Sequence, residues 1–240
     1  MEWEEAGIVL AAAPYGEGDA LATVFTEAHG AFRGLARGGS ARAKSAIWQT
    51  GNLIEARWVA RLADQLGSFT ADLVHPAAAL AMADPWHLAV LRAACAVAEG
   101  ALPEREPQPA VFRGLLHLIV HPGEGPACVA GLVGWELGLL SQLGYGLDLS
   151  RCAVSGTQEG LAFVSPKTGR AISTGEAGAW RDRLLPLPAF LLGAAKPRWP
   201  DVADGLRLTG HFLARDAFGA RHRGMPVARK MLEEKIGLLF

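Results

Sequence analysis

Up to His75 the apolar positions come in short runs bounded by turn residues, which is a strand pattern. "GIVLAAAPYG", "ALATVFTEAHG", "GAFRGLARGG", "NLIEARWVAR" and "LGSFTADLV" each read as one strand. Pro14-Tyr15-Gly16, His29-Gly30, Gly38-Gly39-Ser40, Gly51-Asn52 and Gly67-Ser68 punctuate them, supplying the backbone angles that turns need. Five short strands over residues 1–76 predict a small closed barrel of the OB type, although an SH3-like barrel would leave the same pattern.

Beyond His75-Pro76 the period becomes helical. Asp84 reads as an N-cap and Pro85 as the first helical residue of "PWHLAVLRAACAVAEG". After the connector "LPEREPQP", "AVFRGLLHLIV" stops at His121-Pro122, and "PACVAGLVGWELGLLSQLG" stops at Gly144. These three stretches are expected to bundle in a helical domain whose first part spans 77–147. An irregular insertion at 148–178 holds "LAFVS" and "GRAIS" around Pro166-Lys167-Thr168-Gly169, a hairpin. Residues 179–240 return to helix near 201–218 and 226–236, after the Pro-broken "LLPLPAFLL". The fold class is therefore α+β: a five-stranded OB-type barrel, then an all-helical domain carrying a small zinc-ribbon-like hairpin.

The insertion keeps the C-x2-C spacing of a zinc ribbon at Cys152, Ser155, Ser173 and Glu176, with a thiol at the first position only. A hydroxyl is a poor zinc ligand, and one thiolate with one carboxylate does not close a tetrahedral site. No metal is expected there. Leu161, Phe163 and Ile172 are expected to hold the hairpin instead.

With 50% apolar and 20% charged residues the chain can bury real cores and is not disordered. No apolar run reaches the 18 residues of a membrane span, and "MEWEEAGIVLAAA" is acidic where a signal peptide would be basic. Cys95, Cys128 and Cys152 are scattered, as in a reducing compartment, so a soluble cytoplasmic protein is expected. The net charge of −1 points to no partner, but its distribution is uneven. Residues 1–30 carry six acids and no Lys or Arg, whereas 31–61 carry six cations against Glu55. Residues 76–150 are acidic again, and 205–232 carry six cations against Asp216. Two separate basic zones read either as solvated faces or as phosphate contacts.

Catalytic patterns are missing. "GARHRG" has a Walker-like spacing, but Met225 and Pro226 stand where Lys and Ser/Thr must be. His117 and His121 share a helical face, yet Leu118 replaces the Glu base of a zincin, so buried or capping histidines are the better reading. There is no G-x-S-x-G elbow and no Cys-His pairing. The chain reads as a non-enzyme without a cofactor. Nucleic-acid binding has better material. Arg33, Leu35 and Arg37 alternate on one strand face, and Arg42 and Lys44 follow in a Gly/Ser loop that can track a phosphate backbone. Trp48 and Trp58 lie nearby as candidates for base stacking or for barrel core. An OB-fold RNA-binding protein would share these features.

"EEAGIVLAAAPYGEGDALATVFTEAHG", "GLARGGSARAK", "LGSFTADLV", "LLSQLGYGLDLSRCAVSG", "LAFVSPKTGRAIS" and "RLLPLPAFLL" occur in this order along most of the chain. In order and spacing they resemble the bacterial RecO family of recombination mediators. The resemblance implies an N-terminal OB domain, a helical domain and, in some members, a zinc module with thiols at the positions of Cys152, Ser155, Ser173 and Glu176. It also implies binding of single- and double-stranded DNA and annealing of complementary strands. The implied partners are RecR and RecF, in loading RecA onto strands coated by single-stranded-DNA-binding protein, with a cytoplasmic, nucleoid-associated location. By position, Arg33, Arg37, Arg42 and Lys44 match the family's DNA-binding region, and Arg57 and Arg61 follow on the next strand. The acidic tail of the single-stranded-DNA-binding protein is implied to dock on the helical domain. Leu206, Phe212, Leu213 and Phe218 could supply apolar surface for it, rimmed by Arg215, Arg221, Arg223 and Arg229.

Overall fold

The computed structural model describes residues 1–42, 44–62 and 65–240. Two compact units divide it, Met1–His121 and Pro122–Phe240. The first is built on β1 (Glu2–Tyr15), β2 (Asp19–Thr26), β3 (Gly30–Ala36), β4 (Leu53–Val59) and β5 (Ser68–His75). They close in the order β1-β2-β3-β5-β4, and every neighbouring pair is antiparallel except β3–β5. This is the five-stranded Greek-key closure of an OB fold.

β1 makes the closure possible by serving two neighbours. Glu2 to Ile8 pair with β4, and Gly7 to Tyr15 pair with β2, with a break in register between Val9 and Ala11. Such a bulge bends a strand and sharpens its twist, so one strand can turn the corner of a barrel. β1 starts at Glu2, earlier than its apolar run suggests. Trp3 packs against the barrel core while Glu2 and Glu4 stay exposed. The interior is filled by Val9, Val24, Ile54, Trp58 and Phe69, with Trp48 arriving from the β3–β4 connection. These large rings fit because β2 and β3 present Ala20, Ala22, Gly34 and Ala36. A Cβ at Gly34 would lie 2.6 Å from the Phe69 ring.

α1 (Ala77–Ala81), α2 (Pro85–Ala101) and α3 (Pro109–Val120) belong to this first unit. Asp84 caps α2 as expected, accepting from the Trp86 N–H at 2.6 Å. α2 lies against β1, where Ile8 and Leu10 are buried, and Phe112 of α3 meets Phe25 of β2 edge to face at 5.5 Å. α4 (Pro126–Gln142) falls in the second unit. α2 and α3 both place apolar residues against the outer wall of the barrel.

In the second unit α4 and α6 (Val227–Gly237) both pack on α5 (Trp199–Phe212), which runs on through a π-helical turn, Leu213–Phe218. The hairpin of β6 (Leu161–Val164) and β7 (Ala171–Ser173) gains a third, two-residue strand, β8 (Leu185–Pro186). Arg229 of α6 and Glu136 of α4 are both fully buried, joined at 2.6 Å and 3.1 Å. Arg229 also donates to the Leu206 carbonyl at 2.9 Å and to Glu233 at 3.3 Å, and the Thr209 hydroxyl donates to Glu136. A buried charge is tolerated only when paired and hydrogen-bonded, and here one guanidinium satisfies that condition for three helices. No helix among the described residues is long and apolar enough to cross a membrane.

The Arg229–Glu136 pair predicts an asymmetry. Arg229→Ala strands a buried carboxylate and should cost the second unit about 3–5 kcal/mol. The double variant Arg229→Met/Glu136→Leu should recover most of that loss. Urea unfolding followed by tryptophan fluorescence checks both, and equal losses in the two variants would contradict the electrostatic account.

Candidate nucleic-acid interface

The connection from β3 to β4 carries three cations, Arg37, Arg42 and Lys44, and no acid over residues 37–47. All three side chains are exposed, and none has an ion pair among the described residues. The connection is anchored near both ends. At its start the Asp19 carboxylate accepts from the Gly38 N–H at 2.7 Å, the Ser40 hydroxyl donates to the Asp19 carbonyl, and the Ser40 N–H donates to Gly18. Toward its end Trp48 is sunk in the barrel core. The buried Asn52 amide donates to the carbonyls of Ala46 and Ile47, at 2.8 Å and 3.2 Å, and its oxygen accepts from the Ala78 N–H at 3.0 Å. Gly51, at φ +94°, approaches Leu91 of α2 so closely that a Cβ would sit 2.6 Å from it. The cations therefore ride on a tethered loop.

The parallel pairing of Leu35 with Ser68, and the bond from the Leu35 N–H to Gly67, bring the β4–β5 loop beside the start of this connection. Arg61 lies on that loop, exposed and without an ion pair among the described residues. Arg37, Arg42, Lys44 and Arg61 therefore sit on loops that meet at one end of the barrel. Phosphates attracted there would find donors that no carboxylate among the described residues already holds.

Two candidates lie elsewhere. Arg33 faces the helical layer, bonded to Glu99 of α2 at 3.2 Å and to Glu104 at 3.1 Å. Arg57 points out from β4 and meets Glu2 at 2.6 Å. Arg113 of α3 similarly meets Glu27 at 3.1 Å. The outer face of β2 and β3, a common OB ligand surface, is thus partly covered by α2 and α3. Sequence alternation put Arg33 and Arg37 on one face but could not show that a helix lies over it. Trp48 and Trp58 are 5% and 2% exposed, and the Trp58 indole donates to the Leu66 carbonyl at 3.1 Å. Both are core, and neither is open to a base. Asp19 and Asn52 are the residues that the sequence pattern missed, since turn-type residues give no sign of what their side chains will hold.

In the second unit the arginine set also separates. Arg229 is corrected outright: its complete burial in the Glu136 pair removes it from any partner surface. Arg215 is bonded to Asp216 at 2.7 Å, lies 4.8 Å over the Phe212 ring, and donates to the Pro166 and Lys167 carbonyls. It clasps the β6–β7 turn to the π-helical segment. Arg221 and Arg223 are exposed in the turn before α6. The apolar set expected beside them is also interior, with Leu206, Phe212, Leu213 and Phe218 at most 1% exposed.

The zinc-ribbon frame has a different filling. Cys152 is 1% exposed, and its sulfur accepts from the Ser173 N–H at 3.3 Å and from the Ser173 hydroxyl at 3.5 Å. Burial pushes this thiol up, but hydrogen bonds from Ser155 and Ser173 outweigh it and lower it to about 6. Sulfur ringed by hydroxyl and amide donors stands where a metal-bound thiolate would be. Glu176 is exposed, and among the described residues no three His, Cys, Asp or Glu converge on a metal position. This donor set does not fit zinc.

Fold and interface define the class: an OB-barrel protein with a tethered basic loop, followed by helices and a ribbon module whose donor set does not fit zinc. Residues 1–77 match the family model described as Recombination protein O N terminal, and residues 82–225 match Recombination protein O C terminal. The chain belongs to the RecO family, and with it to DNA repair and recombination. It is 59% identical to the DNA repair protein RecO of Granulibacter bethesdensis, over 100% of this chain and 97% of that protein. Against the RecO of Acidiphilium cryptum it is 59% identical over 98% of this chain and 96% of that one. The RecO of Gluconacetobacter diazotrophicus is 54% identical over 100% and 96%.

The sulfur network makes stability pH-dependent. The folded thiol value lies below the unfolded value of about 8.5, so the thiolate's contribution is complete above that value. It is lost as pH falls through about 6. Thermal denaturation should therefore show the advantage of wild type over Cys152→Ala shrinking between these limits; an advantage independent of pH would contradict the thiolate. Protein purified without chelator should carry no stoichiometric zinc, and elemental analysis finding about one zinc per chain would overturn that.

Proposed function

We propose that this chain is a non-enzymatic recombination mediator that binds single- and double-stranded DNA through the loops at one end of its OB barrel. The observation that carries this reading is the anchored loop with Arg37, Arg42 and Lys44 exposed and, among the described residues, no carboxylate against them. Arg61 extends it. Phosphate contacts carry no base information, so such a surface holds any strand, and screening two strands at once favours annealing of complementary ones. Within the same reading the protein acts with RecR and RecF to load RecA onto strands covered by single-stranded-DNA-binding protein, in the cytoplasm at the nucleoid. No disulfide joins Cys95, Cys128 and Cys152 among the described residues, which is compatible with that compartment. Docking of the partner's acidic tail is assigned to the exposed Arg215, Arg221 and Arg223, without the buried Arg229.

The test is the triple variant Arg37→Ala/Arg42→Ala/Lys44→Ala. It should bind all DNA sequences more weakly, and its log K against log salt slope on single strands should flatten by roughly 0.7 for each lost contact. It should also anneal precoated complementary strands more slowly. Unchanged affinity and slope in the folded variant would remove the loop from the interface, and a preference for RNA over DNA in competition would favour an RNA-binding protein.

A further inference from the structure

Of the seven tryptophans, all within the described residues, six are buried or half-buried, and Trp180 alone is exposed, at 62%. It sits in a short 3-10 segment, Gly178–Arg183, in which every residue is exposed. The Arg183 guanidinium lies 5.3 Å from the centroid of its ring. Arg181 lies 5.5 Å over the ring of Phe163, on β6. Neither arginine has an ion pair among the described residues, although Asp182 stands between them in sequence. Both cations are held by aromatic faces, which orient a guanidinium without using its N–H donors.

Phe163, which backs Arg181, is held in the three-stranded sheet. Phe163 pairs with Ile172 of β7 on one side and with Pro186 of β8 on the other. The ribbon module thus presents an exposed indole with one guanidinium against its ring and a second held over Phe163, both with donors to spare. A peptide ending in an aromatic residue needs a concave apolar notch, and a segment exposed at every position offers none. An unpaired base needs only a π face, and its flanking phosphates need only positive donors. Bases in a duplex are already stacked and cannot use such a face.

We propose that Trp180, Arg181 and Arg183 form a second contact site for single-stranded nucleic acid. Trp180 stacks one unpaired base, and the two arginines take the neighbouring phosphates. The inference rests on the DNA-binding reading above but uses residues of the other compact unit, so the two can fail separately.

The test uses the full chain with Trp180→Ala, Trp180→Phe and Arg181→Ala/Arg183→Ala, titrated with a fluorescein-labelled oligo-dT and with a blunt duplex across a salt series. Thermal denaturation verifies folding, which an exposed side chain should not affect. Trp180→Ala should weaken oligo-dT binding about ten-fold, the scale of one lost base stack, and leave the duplex unchanged. Trp180→Phe should retain most of the affinity. The double arginine variant should flatten the single-strand salt slope by roughly 0.7 per contact. Wild-type oligo-dT affinity in Trp180→Ala, beside weakened binding by the OB-loop variant, would overturn this site alone. Equal loss on single strand and duplex would overturn stacking, as would loss confined to an acidic peptide. A wild-type protein that binds no DNA would remove both readings.

Discussion

Closure of the barrel between β3 and β5 is the constraint on which the first unit depends. Two residue pairs, Leu35 with Ser68 and Ala36 with Phe69, make that parallel seam. A closed sheet has no free edge, so every strand direction and loop position follows from it. Closure requires β1 to bend at its bulge and serve both β2 and β4. It also requires the walls to be uneven, with alanine and glycine on β2 and β3 opposite Trp58 and Phe69. Because β5 starts beside the end of β3, the β3–β4 and β4–β5 loops emerge together. The nearness of Arg37 to the β4–β5 loop is a consequence of strand order.

The helices that follow the barrel decide which part of it remains open. α2 and α3 cover apolar positions on the outer wall, Ile8, Leu10 and Phe25, that no barrel interior could accept at the same time as Trp58 and Phe69. In doing so they bring Glu99, Glu104 and Arg113 against Arg33 and Glu27, and the strand face is neutralised. Exposed cations are left at the loops, and the β3–β4 loop is kept in place by Asp19, Asn52 and Trp48. Anchoring matters because a floating polycation loses more conformational entropy on binding than one already held.

The second unit solves a related problem twice. Between α4, α5 and α6 a guanidinium and a carboxylate are buried together, and the surrounding carbonyl and hydroxyl complete their hydrogen bonds. In the ribbon module a sulfur is buried with serine donors around it. In both places a polar group is inside because its partners are inside with it. Hydrogen bonds to the Cys152 sulfur tie the module to its hairpin, and its outer surface carries aromatic and basic side chains.

Much of this was legible along the chain. The five strands of the barrel, the Asp84 cap, the hairpin and the loss of zinc ligands all follow from local patterns, because turns, caps and ligand spacing involve residues close in sequence. The basic loop was legible too, since charge density needs no coordinates. What the sequence left open were pairings between distant positions. Arg33 and Arg37 look alike in sequence, but a helix 66 residues away covers one and not the other. Arg215, Arg221, Arg223 and Arg229 form one basic run, yet the rotation of α6 sends Arg229 inward to Glu136, 93 residues earlier. Seven tryptophans carry no mark of which will stay in water. Those choices belong to tertiary structure, because burial and charge pairing depend on which surfaces meet, and no local pattern specifies its own neighbour.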